Sequence, residues 1–344
     1  MRLGIIARSD NTGLGNQTRD LVTMLNPHRI MLVNSLNFNK NKQHPEWYKG
    51  YECFHVRGLP RTGDLEPFIR SVDVVLTCET FYNNSFVELA KRRGVKTILQ
   101  YNYEFLEYIH NERLPFPDVM IAPSLWNYNK VAEITEGKTK LIHLPPPTNT
   151  SVFDEVRKIN LSKNYGRLLH VAGKPATRDR NGTRSIVDML RYSKTDYEIV
   201  ITTQQELDIV SRDSRLKIVV GNPDNRQDLY SGYDAMVLPR RYAGLCLPMN
   251  EALISGLPVF MTDISPNNTI LPKEWLVKSE KYDEFKARTV IDVYNADPKS
   301  LAKLIDNYMN NRKKIQLKEQ AVEIGFKNFA MENLKDKYID IINK

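Results

Sequence analysis

The run Ala235-Met236-Val237-Leu238-Pro239-Arg240-Arg241-Tyr242-Ala243-Gly244-Leu245-Cys246-Leu247-Pro248-Met249-Asn250-Glu251-Ala252-Leu253-Ile254-Ser255-Gly256-Leu257-Pro258-Val259 is the most informative stretch of the chain. Its apolar start, 235–238, reads as a buried strand. A loop follows, then a helix over 249–256, a turn, and a second strand over 258–261. Strand, loop, helix, strand is the repeating unit of a parallel α/β sheet. Gly244 lets the backbone approach a ligand, and Pro248 stands where helices begin. Glu251 is expected in the first helical turn, on the side of the loop. A carboxylate there accepts two hydrogen bonds from a ribose diol, while loop N–H groups meet sugar or phosphate oxygens.

The same alternation extends in both directions. Before the proline run Pro145-Pro146-Pro147, strands are expected at 3–7, 30–34, 72–77, 97–100, 119–122 and 140–143, with helical patterns at 17–25 and 85–93. Consecutive prolines continue neither sheet nor helix, so a stiff connector lies there. After it, strands are expected at 168–171, 197–202 and 216–220, with helices at 181–192 and 228–232. The segment 313–344 is helical and heavily charged. This pattern predicts an α/β chain of two doubly wound domains joined near 145–150. Facing each other across a cleft, they would hold a ligand beyond the carboxyl ends of their strands.

The composition is that of a globular protein. The 344 residues are 41% hydrophobic and 26% charged, which excludes a disordered or fibrous chain. Three scattered cysteines, Cys53, Cys78 and Cys246, fit neither a disulfide framework nor a metal site, and point to a reducing cytoplasm. No apolar stretch approaches the ~18–20 residues of a membrane helix, so no integral membrane association is expected. The first residues run from a short strand into polar sequence by Ser9, too early for a signal peptide. A net charge of +8 suits a phosphate-bearing partner without specifying one.

After the first strand comes Arg8-Ser9-Asp10-Asn11-Thr12-Gly13-Leu14-Gly15-Asn16-Gln17-Thr18. Gly13 and Gly15 allow a tight turn into a helix N-terminus, where free N–H groups favour an anion or an oxygen-rich group. A dinucleotide fingerprint needs a third glycine, but Thr18 stands there, and no acidic residue marks the end of strand two.

The pattern over 238–259 resembles the donor-binding signature of GT-B glycosyltransferases, in particular the retaining glycosyltransferase family 4. Other segments are similar to further family elements. Leu168-Leu169-His170-Val171-Ala172-Gly173-Lys174 with Arg180-Asn181-Gly182 looks like the element that grips the donor diphosphate. The run 228–234 matches the helix before the motif strand. Residues 13–15 match the first loop, and 329–334 resemble the terminal helix that crosses back to the first domain. The resemblance implies an acceptor-side domain at 1–147, a nucleotide-sugar domain at 148–325 and a crossing helix at 326–344. It implies donor contacts from Gly13, Gly15, Gly173, Arg178, Arg240, Arg241, Tyr242, Gly244, Leu245, Cys246, Leu247 and Glu251. Lys174 and Arg180 would steady the departing diphosphate. UDP is the commonest nucleotide of such donors.

One departure stands out. The family pairs two glutamates eight positions apart, and Ala243 occupies the first position. Either the sugar is atypical, or Arg240, Arg241 and Tyr242 take over its recognition, or the protein is catalytically weak. From 149 to 196 there are ten Lys+Arg against five Asp+Glu, a local +5. Such cations stabilise charge on a leaving phosphate, and removing one typically costs ~3 kcal/mol. No metal or other cofactor is therefore expected. Retention would need no protein base. Inversion would need one, with Asp10, Glu79 and Glu104 as the candidates.

The acceptor would lie on the first domain. The segment 36–63 interleaves Lys40, Lys42, Lys49, Arg57 and Arg61 with Trp47, Tyr48 and Tyr51, a mixture suited to phosphates and stacked bases. Glu79, Tyr101 and Tyr103 join the acceptor-side candidates, beside Tyr108, Trp126 and Tyr128. The variant Pro-Arg-Arg-Tyr-x-Gly-Leu-Cys-Leu-Pro, with Ile264-Ser265-Pro266-Asn267, looks like a branch common in bacteriophages. That branch implies duplex DNA carrying 5-hydroxymethylcytosine as acceptor. Two alternatives are an envelope glycan or glycolipid acceptor and a non-catalytic nucleotide-sugar binder. Against DNA, residues 1–148 carry only 18 Lys+Arg to 15 Asp+Glu.

Overall fold

A computed structural model describes residues 1–34, 42–106, 114–174, 178–209 and 211–344. The chain divides into two compact units. The first comprises Met1–Asn149, Ala287–Thr289 and Met331–Lys344; the second comprises Thr150–Lys286 and Val290–Ala330.

The first unit is built on seven parallel strands: β1 (Leu3–Ala7), β2 (Arg29–Leu32), β3 (Cys53–His55), β4 (Val74–Glu79), β5 (Lys96–Tyr101), β6 (Val119–Ala122) and β7 (Lys140–His143). Their order is β3-β2-β1-β4-β5-β6-β7. Helices α1 (Gly13–Leu25), α2 (Thr62–Arg70), α3 (Phe86–Arg92) and α4 (Tyr128–Thr135) connect them. Central strands such as β1 and β6 are buried along their whole length. They therefore read as unbroken apolar runs rather than alternating ones.

The second unit has six parallel strands: β8 (Arg167–Gly173), β9 (Glu198–Thr203), β10 (Leu216–Val220), β11 (Ala235–Leu238), β12 (Val259–Thr262) and β13 (Leu276–Val277). Their order is β10-β9-β8-β11-β12-β13. An antiparallel hairpin, β14 (Ser279–Lys286) and β15 (Val290–Ala296), follows. Helices α5 (Asp154–Ser162), α6 (Thr183–Met189), α7 (Leu247–Ile254), α8 (Pro298–Met309) and α9 (Lys314–Phe329) belong to this unit. The final helix α10 (Met331–Asn343) packs on α1, burying Leu334, Tyr338 and Ile342 in the first core.

Two doubly wound α/β sheets are thus present. The differences from expectation have local causes. Strand β3 is short, and its residues are only partly covered, so it carries no apolar run. The hairpin strand β14 reads Ser-Glu-Lys-Tyr-Asp-Glu-Phe-Lys and is largely exposed, which hides it from any search for buried strands. The helix expected at 228–232 is a 3-10 turn over Arg226–Tyr230. The long terminal helix is two, because Ala330 takes an extended ψ of 127° between α9 and α10.

Candidate active site

In the second unit the direction of winding reverses between β8 and β11. A ligand crevice in such a sheet lies at the carboxyl ends of the strands flanking that switch. The loop after β8 begins at Gly173, whose φ of +65° suits glycine, and continues through the exposed Lys174. Farther along, Gly182 has φ +73°, and a Cβ there would lie 2.2 Å from the Pro239 carbonyl oxygen. The loops after β8 and β11 therefore touch backbone to backbone, an approach that only glycine permits. Asn181 secures the first loop by donating to the carbonyls of Val171 and Ala172 at 3.2 and 2.9 Å.

Arginines from both loops are stitched together. The Arg241 N–H donates to the Arg180 carbonyl at 2.8 Å, and the Arg241 guanidinium donates to the Arg178 carbonyl. The Tyr294 N–H returns a bond to the Arg241 carbonyl at 3.0 Å, which ties the β14–β15 hairpin to the same loops. Arg178 pairs with Asp283 and lies 5.3 Å from the Phe285 ring centroid. Tyr242 meets Phe285 edge-on at 5.2 Å. Burial pulls the Arg241 pKa below its ordinary value.

Arg240 differs from its neighbours. It is 5% exposed, and its Nε donates to the Tyr242 carbonyl at 3.0 Å. Among the described residues no carboxylate forms an ion pair with it. Its own carbonyl receives the Thr262 hydroxyl, and Asn267 holds Thr262 through a 3.1 Å bond to that residue's carbonyl. Taking a cation out of water costs several kcal/mol unless an anion compensates. The nearby amides of Thr183 and Arg184 already donate to the Asp179 carboxylate, both at 2.9 Å. An incoming anion would thus be held by side chains rather than by those amides.

Glu251 is 7% exposed. It is the fifth residue of α7 rather than a first-turn residue, because the helix starts at Leu247, with Pro248 at its second position. Its Oε2 accepts the Tyr230 hydroxyl at 2.6 Å, and the Arg226 guanidinium stands 3.5 Å from Oε1. Burial, then the neighbouring carboxylate, pushes the Tyr230 hydroxyl pKa well up. In the intervening loop Ala243 is buried with φ +90°, a left-handed geometry costly for any side chain. Gly244, Leu245 and Leu247 are half-buried, and Cys246 is buried.

The first unit has its own switch point, between β1 and β4. Gly13 opens α1, and Thr12 caps it by accepting the Gly15 N–H at 3.2 Å. A Cβ on Gly15 would fall 1.8 Å from the Asp10 carbonyl oxygen, so the turn demands glycine. Asp10 is 1% exposed, with one carboxylate oxygen paired to Arg8 and the other accepting the Thr12 hydroxyl at 2.6 Å. Glu79, at the end of β4, has φ +68°, and Tyr82 three residues on has φ +61°. The Glu79 carboxylate receives the Asn102 amide at 3.5 Å. Burial, with the charge of Glu104 adding to it, raises the Glu79 pKa, while Asn102, Arg8 and Arg288 oppose the shift. Glu104 sits in the 3-10 turn Tyr103–Phe105.

Two acceptor-side candidates are core residues instead. Tyr48 and Tyr101 are each 2% exposed, and Tyr48 donates its hydroxyl to the Arg8 carbonyl at 2.8 Å. Neither offers a ring face to a ligand, because each ring fills apolar space. Tyr103 is buried too, edge-on to Trp126 at 5.2 Å. The Trp47 ring has the Arg19 guanidinium 4.5 Å from its centroid and is stacked with His44 at 4.9 Å, so its own neighbours already cover it. Lys42 is exposed; Lys40 and Tyr108 lie outside the described residues. The sequence reading does not single out Arg226, Tyr230, Thr262, Tyr82 or Arg288. Except for Tyr82, three residues after Glu79, their signal is spatial, since each reaches the site from an element distant in sequence.

No known family profile matches the sequence, and no curated protein does. Solved structures do match. HepE (Alr3699) from Anabaena, in complex with UDP and glucose, aligns with a TM-score of 0.69 at 10% identity, over 100% of this chain and 99% of that one. A glycosyltransferase from Rickettsia africae aligns at 0.69 and 13% identity, over 99% and 97%. Sucrose-phosphate synthase from Thermosynechococcus elongatus aligns at 0.67 and 12% identity, over 100% and 98%. The likeness shows the fold: two Rossmann-like units of the GT-B type.

Proposed function

We propose that the protein transfers a sugar from a UDP-sugar to an acceptor hydroxyl. The observation that carries this reading is Arg240, a buried cation at the switch point of the second unit with no carboxylate partner among the described residues. A nucleoside diphosphate supplies the anion that such a site lacks. Lys174, Arg178, Arg180 and Arg241 supply further positive charge from the adjoining loops. As the bond to the sugar breaks, charge builds on the outer phosphate, where preorganised cations stabilise the transition state most. Glu251, oriented by Tyr230 and Arg226, takes the ribose diol. The UDP complexes of HepE support the choice of nucleotide.

The family resemblance supports retention of anomeric configuration, with the departing phosphate receiving the acceptor proton. For the acceptor, the phage-type motif supports 5-hydroxymethylcytosine in duplex DNA, within a host cytoplasm.

A screen of nucleotide sugars for diphosphate release tests the reading. The arms contain duplexes with hydroxymethylcytosine, hydroxymethyluracil or no modification, and vesicles bearing a glycolipid. Release of UDP with hydroxymethylcytosine DNA alone is the expected result. Release only with glycolipid replaces DNA by an envelope acceptor. Protection from heat by UDP-sugars with no release in any arm marks a non-catalytic binder. Absence of UDP binding overturns the proposal.

A further inference from the structure

We propose that Glu79 receives the acceptor hydroxyl: its carboxylate takes the hydrogen bond of the attacking O–H. This rests on the transferase reading above and adds a residue to it.

Three carboxylates lie near the switch point of the first unit, and the structure distinguishes them. Asp10 is committed, with Arg8 on one oxygen and Thr12 on the other. Glu104 lies beyond the end of β5, in the 3-10 turn Tyr103–Phe105, so its place in the fold and not its hydrogen bonding separates it from Glu79. Glu79 ends β4, at the position where such sheets present groups to ligands. Its single hydrogen bond among the described residues is the Asn102 amide at 3.5 Å, the outer limit for such a bond, and it forms no ion pair within 4 Å there. A half-buried carboxylate so weakly satisfied has room for a donor.

The groups facing it explain its state. Arg8 from the end of β1 and Arg288 from the 287–289 segment favour the charged form. Burial and Glu104 oppose it. Burial, and then the Glu79 charge, pushes the pKa of Cys78 and Tyr82 upward. The Tyr82 hydroxyl is buried and has no partner among the described residues. A hydroxyl donates as well as accepts, so one acceptor O–H would satisfy Glu79. A cavity of about 20 Å³ is lined by Glu79, Thr80, Asn83, Leu99 and Leu106. That volume matches one water or one hydroxyl, for which ~10–15 Å³ suffices. The left-handed backbone at Glu79 and Tyr82 aims this loop and is the kind of strain found where sites are built.

The chemistry balances without consuming the residue. The acceptor oxygen forms a bond to the anomeric carbon, and the carbon–phosphate oxygen bond breaks with its electron pair leaving on UDP. Under retention the acceptor proton ends on that phosphate oxygen, and Glu79 returns ionised. Below the Glu79 pKa the carboxyl no longer accepts the bond, so turnover falls as pH falls.

The test compares full-length wild type, Glu79→Gln and Glu79→Asp, using UDP binding by calorimetry and steady-state transfer to the acceptor found in the screen. Glu79→Gln should bind UDP within twofold of wild type. It should lose ~10–100-fold in kcat/KM for acceptor, the range for a charged hydrogen bond, and its acid limb should disappear; Asp should recover part of the loss. A Glu79→Gln protein within threefold of wild type, or one with an unchanged acid limb, overturns the proposal and leaves the transferase reading intact. Wild type that binds no UDP overturns both. Melting temperature is the second measurement. Removing a poorly solvated charge should raise it at pH 8, and a fall there marks a structural role and overturns the proposal.

Discussion

The Tyr230 hydroxyl donates to the Glu251 carboxylate at 2.6 Å, and both groups are buried. The pair joins a 3-10 turn to α7 and orients a carboxylate whose other oxygen faces Arg226 at 3.5 Å. Asn160 braces the turn from behind, donating to the carbonyls of Tyr230 and Ser255 at 2.9 and 2.8 Å. A flexible glutamate thereby becomes a fixed one, which any ribose-binding role requires. Tyr230→Phe should cost ~1–3 kcal/mol of stability by leaving a buried carboxylate short of a donor. It should also weaken UDP binding about tenfold, as expected for the loss of ~1.4 kcal/mol. Urea unfolding and calorimetry measure the two. An unchanged UDP affinity would remove Glu251 from the donor site.

Arg240→Ala separates phosphate from nucleoside recognition. Loss of the charge-assisted bonds should cost UDP ~10–100-fold in affinity, while uridine changes less than twofold. Isothermal titration with both ligands gives the answer. Equal losses for UDP and uridine would mean that Arg240 shapes the loop rather than holding the anion.

The two glycine-rich positions of the first unit predict opposite outcomes. Gly15→Ala places a methyl 1.8 Å from the Asp10 carbonyl oxygen and should destabilise by more than ~3 kcal/mol, since backbone must move. Gly63→Ala, in α2 with nothing within 4 Å, should stabilise by up to ~1 kcal/mol through helix propensity. Chemical denaturation of both variants tests the assignment of the first turn.

His170 sets a pH dependence for the second unit. It is fully buried between the Val237 carbonyl at 2.8 Å and the Thr183 hydroxyl at 2.9 Å. Burial pushes its pKa down to about 4, against a modest upward pull from the Val237 carbonyl and Asp179. The unfolded chain takes up a proton below its ordinary ~6.5, whereas the folded chain does not until about 4. This contribution is therefore complete above that ordinary value and is lost as pH falls through the window. The slope is ~1.4 kcal/mol per pH unit, or roughly 2 kcal/mol by pH 5. Urea titrations from pH 5 to 8 should show this slope in wild type and a flatter one in His170→Asn. Parallel slopes would mean that His170 already binds a proton in the fold.

The amino-acid order determined what is local. The apolar runs of β1, β6 and β11 appear in the structure with the expected bounds, because fully buried parallel strands carry their burial in their own residues. The glycine turn at Gly15 and the proline at the start of α7 were legible for the same reason: each answers a backbone constraint within a few residues. The partners that hold each charge were not legible. Nothing adjacent to Glu251 indicates Tyr230, and nothing adjacent to Arg240 indicates Thr262 and Asn267 as its braces. Nor does the strand ending at Glu79 reveal that Asp10 is saturated while Glu79 is not. Tyr48 and Tyr101 looked like stacking platforms and became core, since an aromatic ring serves either use until its neighbours are known. Tertiary structure decided these points because hydrogen bonding and desolvation depend on distance in space, and the chain brings together groups that its order keeps far apart.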